Sequence, residues 1–257
     1  MNLWWALPVA LALFLVSCGC SRLGWLLGRR RLQRYGEGAN EGLGAVDGAI
    51  FGLMGLLIAF TFTGAASRFD HRRDLIREEV NAIGTAWLRL DLLAPPSRSE
   101  VQTLMRAYVD QRIATHREMT DLEATNQASH RAAQIQAHMW TRLQEAVRTE
   151  TSLPLTQAVL PAVNDMFDAG TTRVLAAEQH PPPAIYLTLI VLVLVTAFLT
   201  GFGQSKATRQ SMLHLFGFAV TTTLALCLIL DLEYPRLGLI RVAGADQALI
   251  DLRASMD

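Results

Sequence analysis

Lysine is nearly missing from this chain: Lys206 stands alone against 22 arginines. Positive and negative side chains balance, 23 to 23, so the net charge is zero and there is no basic footprint for nucleic acid. Cysteine is scarce as well. Cys18, Cys20 and Cys227 all fall in apolar runs, where free thiols behave as small apolar side chains rather than as a disulfide or metal set. The usual chemical signatures are also missing. His71, His116, His130, His138 and His180 form no HExxH and no pair four residues apart that would present two ligands on one helical face. There is no glycine-rich phosphate loop and no G-x-S-x-G. No stretch alternates apolar and polar residues long enough to predict strands. The expectation is an all-α protein that is not an enzyme, with no cofactor and no metal.

What the chain has instead is long stretches without charge. Apolar residues make up 51 % of it, and the mean hydropathy is +0.25. Runs of about 18 residues or more without charge read as membrane spans, since roughly 20 helical residues cross the hydrocarbon core. Residues 3–21 (extendable to Leu27), 48–67, 181–205 and 210–230 qualify. In lipid their backbone groups must bond within the segment, so all four are predicted helices. Gly44, Pro95-Pro96, Pro154 and Pro181–Pro183 punctuate the boundaries.

The predicted organisation is a first transmembrane pair over 1–67, with spans at about 3–27 and 45–67. An extramembrane helical block follows over 68–180. A second pair covers 181–230, with spans at about 183–204 and 211–230, and a tail at 231–257 docks near the interface.

Two readings of the first run compete. Leu15-Val16-Ser17-Cys18 has the shape of a lipoprotein cleavage site, but MNLWW has no positive charge and the arginines come after the apolar run, which favours a retained span. Orientation is also in conflict. Arg29, Arg30, Arg31 and Arg34, then Lys206 and Arg209, lean the short loops toward the cytoplasm. Arg68, Arg72, Arg73 and Arg77, with Arg236, Arg241 and Arg253 in the tail, argue the opposite way.

Beyond the second span, Phe69, Ile76, Val80, Ile83, Trp87 and Leu90 mark a helix seam that Pro95-Pro96 is expected to end. Ser97 to Glu100 reads as a capping box opening the next helix, whose apolar face is Val101, Leu104, Met105, Tyr108, Val109 and Ile113. Glu118 to His130 is polar and weakly periodic, a helix end or an exposed connection. Ile135, Met139, Leu143, Ala146 and Val147 mark another helix, and Val159 through Leu175 a last one. In the tail, Asp231 and Glu233 are expected to pair with Arg236 and Arg241 and Tyr234 to anchor at the interface, while Ala248, Leu249 and Leu252 form a short docking face.

The second span has three faces at 100° per residue. Gly44, Gly48, Gly52, Gly55, Ala59, Thr63 and Ala66 form a small-residue stripe suited to close helix packing. Ile50, Leu53, Leu57 and Phe60 suit lipid. Between them Asp47, Phe51, Met54, Ile58 and Phe62 form a candidate pore wall, an acid at the mouth and then large apolar side chains. The same stripe could be a protein or lipid contact. Glu78, Asn81 and Thr85 form a polar column that is either a vestibule wall or a solvated face.

The stretch Phe60 to Arg89, with AASRFDHRR and EEVNAIGTAWLRLDLL, and the tail DLEYPRLGLIRV resemble the bestrophin-like domain proteins of bacteria and plants. More distantly, the pattern is similar to bestrophins, pentameric anion channels whose second span lines the pore and runs on into a helical body. The resemblance implies a homo-oligomer, a pentamer by analogy, conducting inorganic ions across a bacterial inner membrane, with the lipid bilayer as its other partner. Some features depart from it. Only Asp231 and Glu233 lie where bestrophins carry a calcium-binding acidic stretch, Asp47 is unexpected for an anion channel, and the short loops favour the opposite orientation. The alternative function is a non-conducting scaffold or sensor whose helical block binds a partner.

Overall fold

The computed structural model describes residues 6–36, 43–117, 122–150, 153–234, 240 and 243–257, and among them there is no strand. Eight α-helices follow one another among these residues: α1 (Ala6–Tyr35), α2 (Leu43–Arg89), α3 (Pro95–Arg117), α4 (Leu122–Glu150), α5 (Leu153–Glu178), α6 (Pro183–Gly203), α7 (Met212–Glu233) and α8 (Ala243–Ala254). Four helical stretches, in α1, α2, α6 and α7, are long and apolar enough to cross a membrane. The protein is an all-α, four-span membrane protein.

The chain divides into two units, residues 1–69 with 180–240 and residues 70–179 with 241–257. The first unit contains the spans. Its most extensive helix pairing is α1 on α6, and glycine makes it possible. A Cβ at Gly24 would run into the Phe198 backbone, and one at Gly201 into the Ser21 carbonyl. Lipid supplies no hydrophobic drive between helices, so close backbone approach and dispersion hold such a pair. The apolar core here is Met54, Ala65, Leu189, Val193, Leu226, Ile229 and Leu232.

Several arginines expected in a short loop are carried on helix, because α1 continues to Tyr35. Trp25 lies between two of α1's guanidinium groups, Arg22 at 4.5 Å and Arg29 at 4.8 Å from its ring centre. Arg29 also donates to the Thr208 carbonyl, and Gln210 donates to the Ser21 hydroxyl, so this end of α1 is tied to the α6–α7 connection.

The second unit is built from the later part of α2 with α3, α4, α5 and α8. Ile83, Leu90, Met105, Tyr108, Met139, Leu143, Val163 and Met166 are among its fully enclosed side chains. Leu249 and Met256 of the tail join this core, and Arg253 reaches Asp110 at 2.8 Å.

Two local expectations are revised. The helix expected to open at Ser97 opens at Pro95, after a single 3-10 turn at Leu90–Leu92, because proline in a first turn forfeits an N–H that has no intrahelical partner anyway. The polar stretch before His130 is helical from Leu122 onward, with Ala128 buried; residues 118–121 lie outside the described residues. Alanine and glutamine are adequate helix formers even where few side chains reach a core. α5 also carries Pro161 in its interior.

Candidate functional site

The membrane part of α2 turns one face to its own chain. Phe51 meets Phe218 of α7 edge-on at 6.1 Å between ring centres. Met54 is buried and its sulfur accepts a bond from the Thr196 hydroxyl of α6 at 3.0 Å. Ile58 packs on the same core. Asp47 is half-buried at the start of this face, while Phe62 is 39 % exposed beside it. The structure therefore groups Phe51, Met54 and Ile58 as an inward-packing set and leaves Phe62 outside it.

The small-residue stripe, the expected packing face, is the open one within this chain. Nothing lies within 4 Å of where a Cβ would stand at Gly44, Gly48, Gly52 or Gly55. Leu53 and Phe60 are exposed, as expected of a lipid side, whereas Leu57 packs against the apolar core. Thr61 and Thr63 bond back to the carbonyls of Leu57 and Ala59, which satisfies their hydroxyls without a neighbour. Past the span, Glu78, Asn81 and Thr85 all lie exposed along α2.

Two charged clusters stand out, one in each unit. In the spanning unit, Glu233 at the end of α7 is fully buried. Arg68 of α2 donates to its Oε2 through Nε at 2.9 Å and Nη2 at 2.7 Å, and His180 Nδ1 lies 3.0 Å from its Oε1. The His180 ring stacks on Tyr234 with centres 4.8 Å apart. Asp231 accepts the backbone N–H of Ile240 at 2.8 Å. Glu233 thus finds partners on α2 and just before α6, and Asp231 finds one in the tail backbone; the expected partners Arg236 and Arg241 lie outside the described residues.

In the helical unit, Glu79 of α2 is fully buried between two arginines that are themselves only 5 % exposed. Arg112 Nε of α3 and Arg173 Nη1 of α5 each donate to it at 2.6 Å. Burial alone would raise the Glu79 pKa, but the charges and hydrogen bonds of the two guanidiniums outweigh it and hold the carboxyl below its ordinary value. Arg112 also donates to the Gly170 carbonyl at 3.3 Å. Sequence reasoning singles out Glu78 and passes over Glu79. A signal is present: Glu79 lies three residues after Ile76 and four before Ile83, inside the apolar seam. Arg112 follows Tyr108 by four and Arg173 follows Met166 by seven on equally apolar stripes.

Among the described residues no three His, Cys, Asp or Glu side chains converge in a group that could hold a metal ion.

Residues 6–245 match the family described as Bestrophin-like domain. A solved crystal structure, described only as that of a membrane protein, is similar in fold, with a TM-score of 0.63 and 15 % identity. That similarity covers 93 % of this chain and 98 % of the other. No curated protein matches.

Proposed function

The chain belongs to the bestrophin-like family, and on that footing we propose that it assembles with copies of itself around an ion pathway lined by α2. The observation that carries this reading is the unequal burial of the spans. In α2's span 11 % of the apolar window is enclosed by its own chain, against 22 % in α1 and 28 % in each of the later spans. Its open side is built of Gly48, Gly52, Gly55 and Ala59. Small residues let backbones approach and give lipid tails little to pack against, which supports a neighbouring helix as the occupant.

In this reading Asp47 stands at the mouth and Phe62 forms a hydrophobic constriction of the kind that gates by dewetting. Phe51, Met54 and Ile58, on the same stripe, pack that wall against the chain's own α6 and α7. Glu78, Asn81 and Thr85 line a vestibule beyond the span. The conducted ion is an anion by family analogy, and the protein resides in a bacterial inner membrane with its short loops cytoplasmic.

Planar-bilayer recording of the purified protein tests conduction: wild type should carry current, and Phe62→Ala should alter its conductance. Silence from both proteins would sink the channel reading. Gly52→Leu tests the assembly. The protomer has open space at that position, so folding should survive while native mass spectrometry records loss of the oligomer. An intact oligomer carrying wild-type current would place the interface on another face.

A further inference from the structure

The helical unit holds a half-open pocket of about 180 Å³ beside the Glu79 cluster, between α3, α4 and α5. Its polar lining includes Tyr108, Arg112, Gln136 and Thr171, while Val174 and Leu175 contribute apolar surface. Arg112 is locked there by its bonds to Glu79 and to the Gly170 carbonyl, so its guanidinium is a cation of fixed position. Tyr108 is 1 % exposed, yet its hydroxyl has no hydrogen-bond partner; Gln136 approaches from α4 without closing a bond of good geometry. A buried hydroxyl left unpaired is destabilising, and a ligand atom accepting its proton would recover that loss. Burial above all pushes the Tyr108 pKa up to about 12, so the hydroxyl stays neutral and able to donate. Gly170 makes room for that hydroxyl, since a Cβ there would stand 2.8 Å from it.

We propose that this cavity binds a small organic carboxylate, its charged end on Arg112 and Tyr108 and its short apolar body against Val174 and Leu175. The guanidinium fork matches a carboxylate in shape as well as charge. The volume corresponds to roughly six water molecules at ~30 Å³ each, enough for an acid of about three to five carbons. Inorganic anions such as sulfate fit less well, because the apolar side of the cavity would strip their hydration and return nothing. Leu175, 55 % exposed, lies at the opening.

Isothermal titration of the full-length protein in detergent tests this, with sodium butyrate as the probe and sodium sulfate and butyramide as comparisons. Butyrate should bind saturably and the other two should not. Tyr108→Phe keeps the ring and removes one donor to a charged ligand, so butyrate affinity should fall about tenfold. Ala133→Phe sits at an exposed lining position, where the added ring should block entry without disturbing the core. If Tyr108→Phe fails to fold, Ala133→Phe carries the test. Undetectable butyrate binding, or binding left intact by a folded variant of either kind, would overturn the proposal.

Discussion

Replacing Glu79 by glutamine isolates what the buried cluster contributes. The carboxylate is fully enclosed and two guanidiniums, 5–6 % exposed in their side chains, contact it at 2.6 Å each. Glutamine keeps the shape and one acceptor but removes the carboxylate charge that faces both arginines. Breaking a buried ion pair by removing one partner costs about 3–5 kcal/mol, because the remaining charge is left desolvated and unmatched. For a chain of this size each kcal/mol moves the melting temperature by about 2–4 °C, so the expected drop is roughly 6–20 °C.

The control is Asp74→Asn. Asp74 contacts Arg77 at the same 2.6 Å, but both side chains are nearly 60 % exposed, and water screens the pair. Its loss should cost about 0.2–1 kcal/mol. Melting of the detergent-solubilised protein, followed by circular dichroism, compares the two. Equal shifts in both variants would refute the claim that burial rather than contact distance sets the value of these pairs.

The same cluster makes an acid-side prediction. The Glu79 pKa lies below the ordinary 4.5, so the unfolded chain binds the proton first. The stabilisation is complete above that value and is lost as pH falls through the depressed folded pKa; a melting-temperature profile against pH should therefore lose part of its acid limb in Glu79→Gln. Gly201→Val should separate α1 from α6, because the obstructing atoms are Ser21 backbone and cannot rotate away. A cost of about 1–3 kcal/mol or more is expected, read as a broadened size-exclusion peak, while Gly203→Val, with open space around it, should elute normally. Glu233→Gln should destabilise less than Glu79→Gln, since Arg68 is 32 % exposed and can turn to water; limited proteolysis should show faster cleavage near His180, and unchanged cleavage would count against the cluster as a clasp.

Much of the architecture is legible in the sequence because membranes impose blunt demands. Uncharged runs of span length must be helices, so α1, the first part of α2, α6 and α7 can be read directly from residues 3–27, 48–67, 181–205 and 210–230. The apolar seams of α2, α3, α4 and α5 are legible for a different reason. Outside the membrane, water sorts side chains, and Ile83, Met105, Met139 and Val163 are buried where their spacing predicts. The same pattern contains Glu79, Arg112 and Arg173, but a charge on an apolar stripe is recognised as a site only when its partners on other helices are known.

The sequence by itself determined the four spans, the helical block and the family, because length, apolarity and motif are properties of consecutive residues. Tertiary structure decided which face of α2 turns inward. Helical periodicity divides that span into three faces, yet in a bilayer apolar side chains are at ease against lipid and protein alike, so hydrophobicity cannot rank them. Shape made the choice: Phe51 and Met54 fill the space beside Phe218 and Thr196, and the glycine stripe is left open. Tertiary structure also brought Arg112 and Arg173 onto Glu79 from helices 33 and 94 residues away in the chain, a convergence that only packing of three helices could produce.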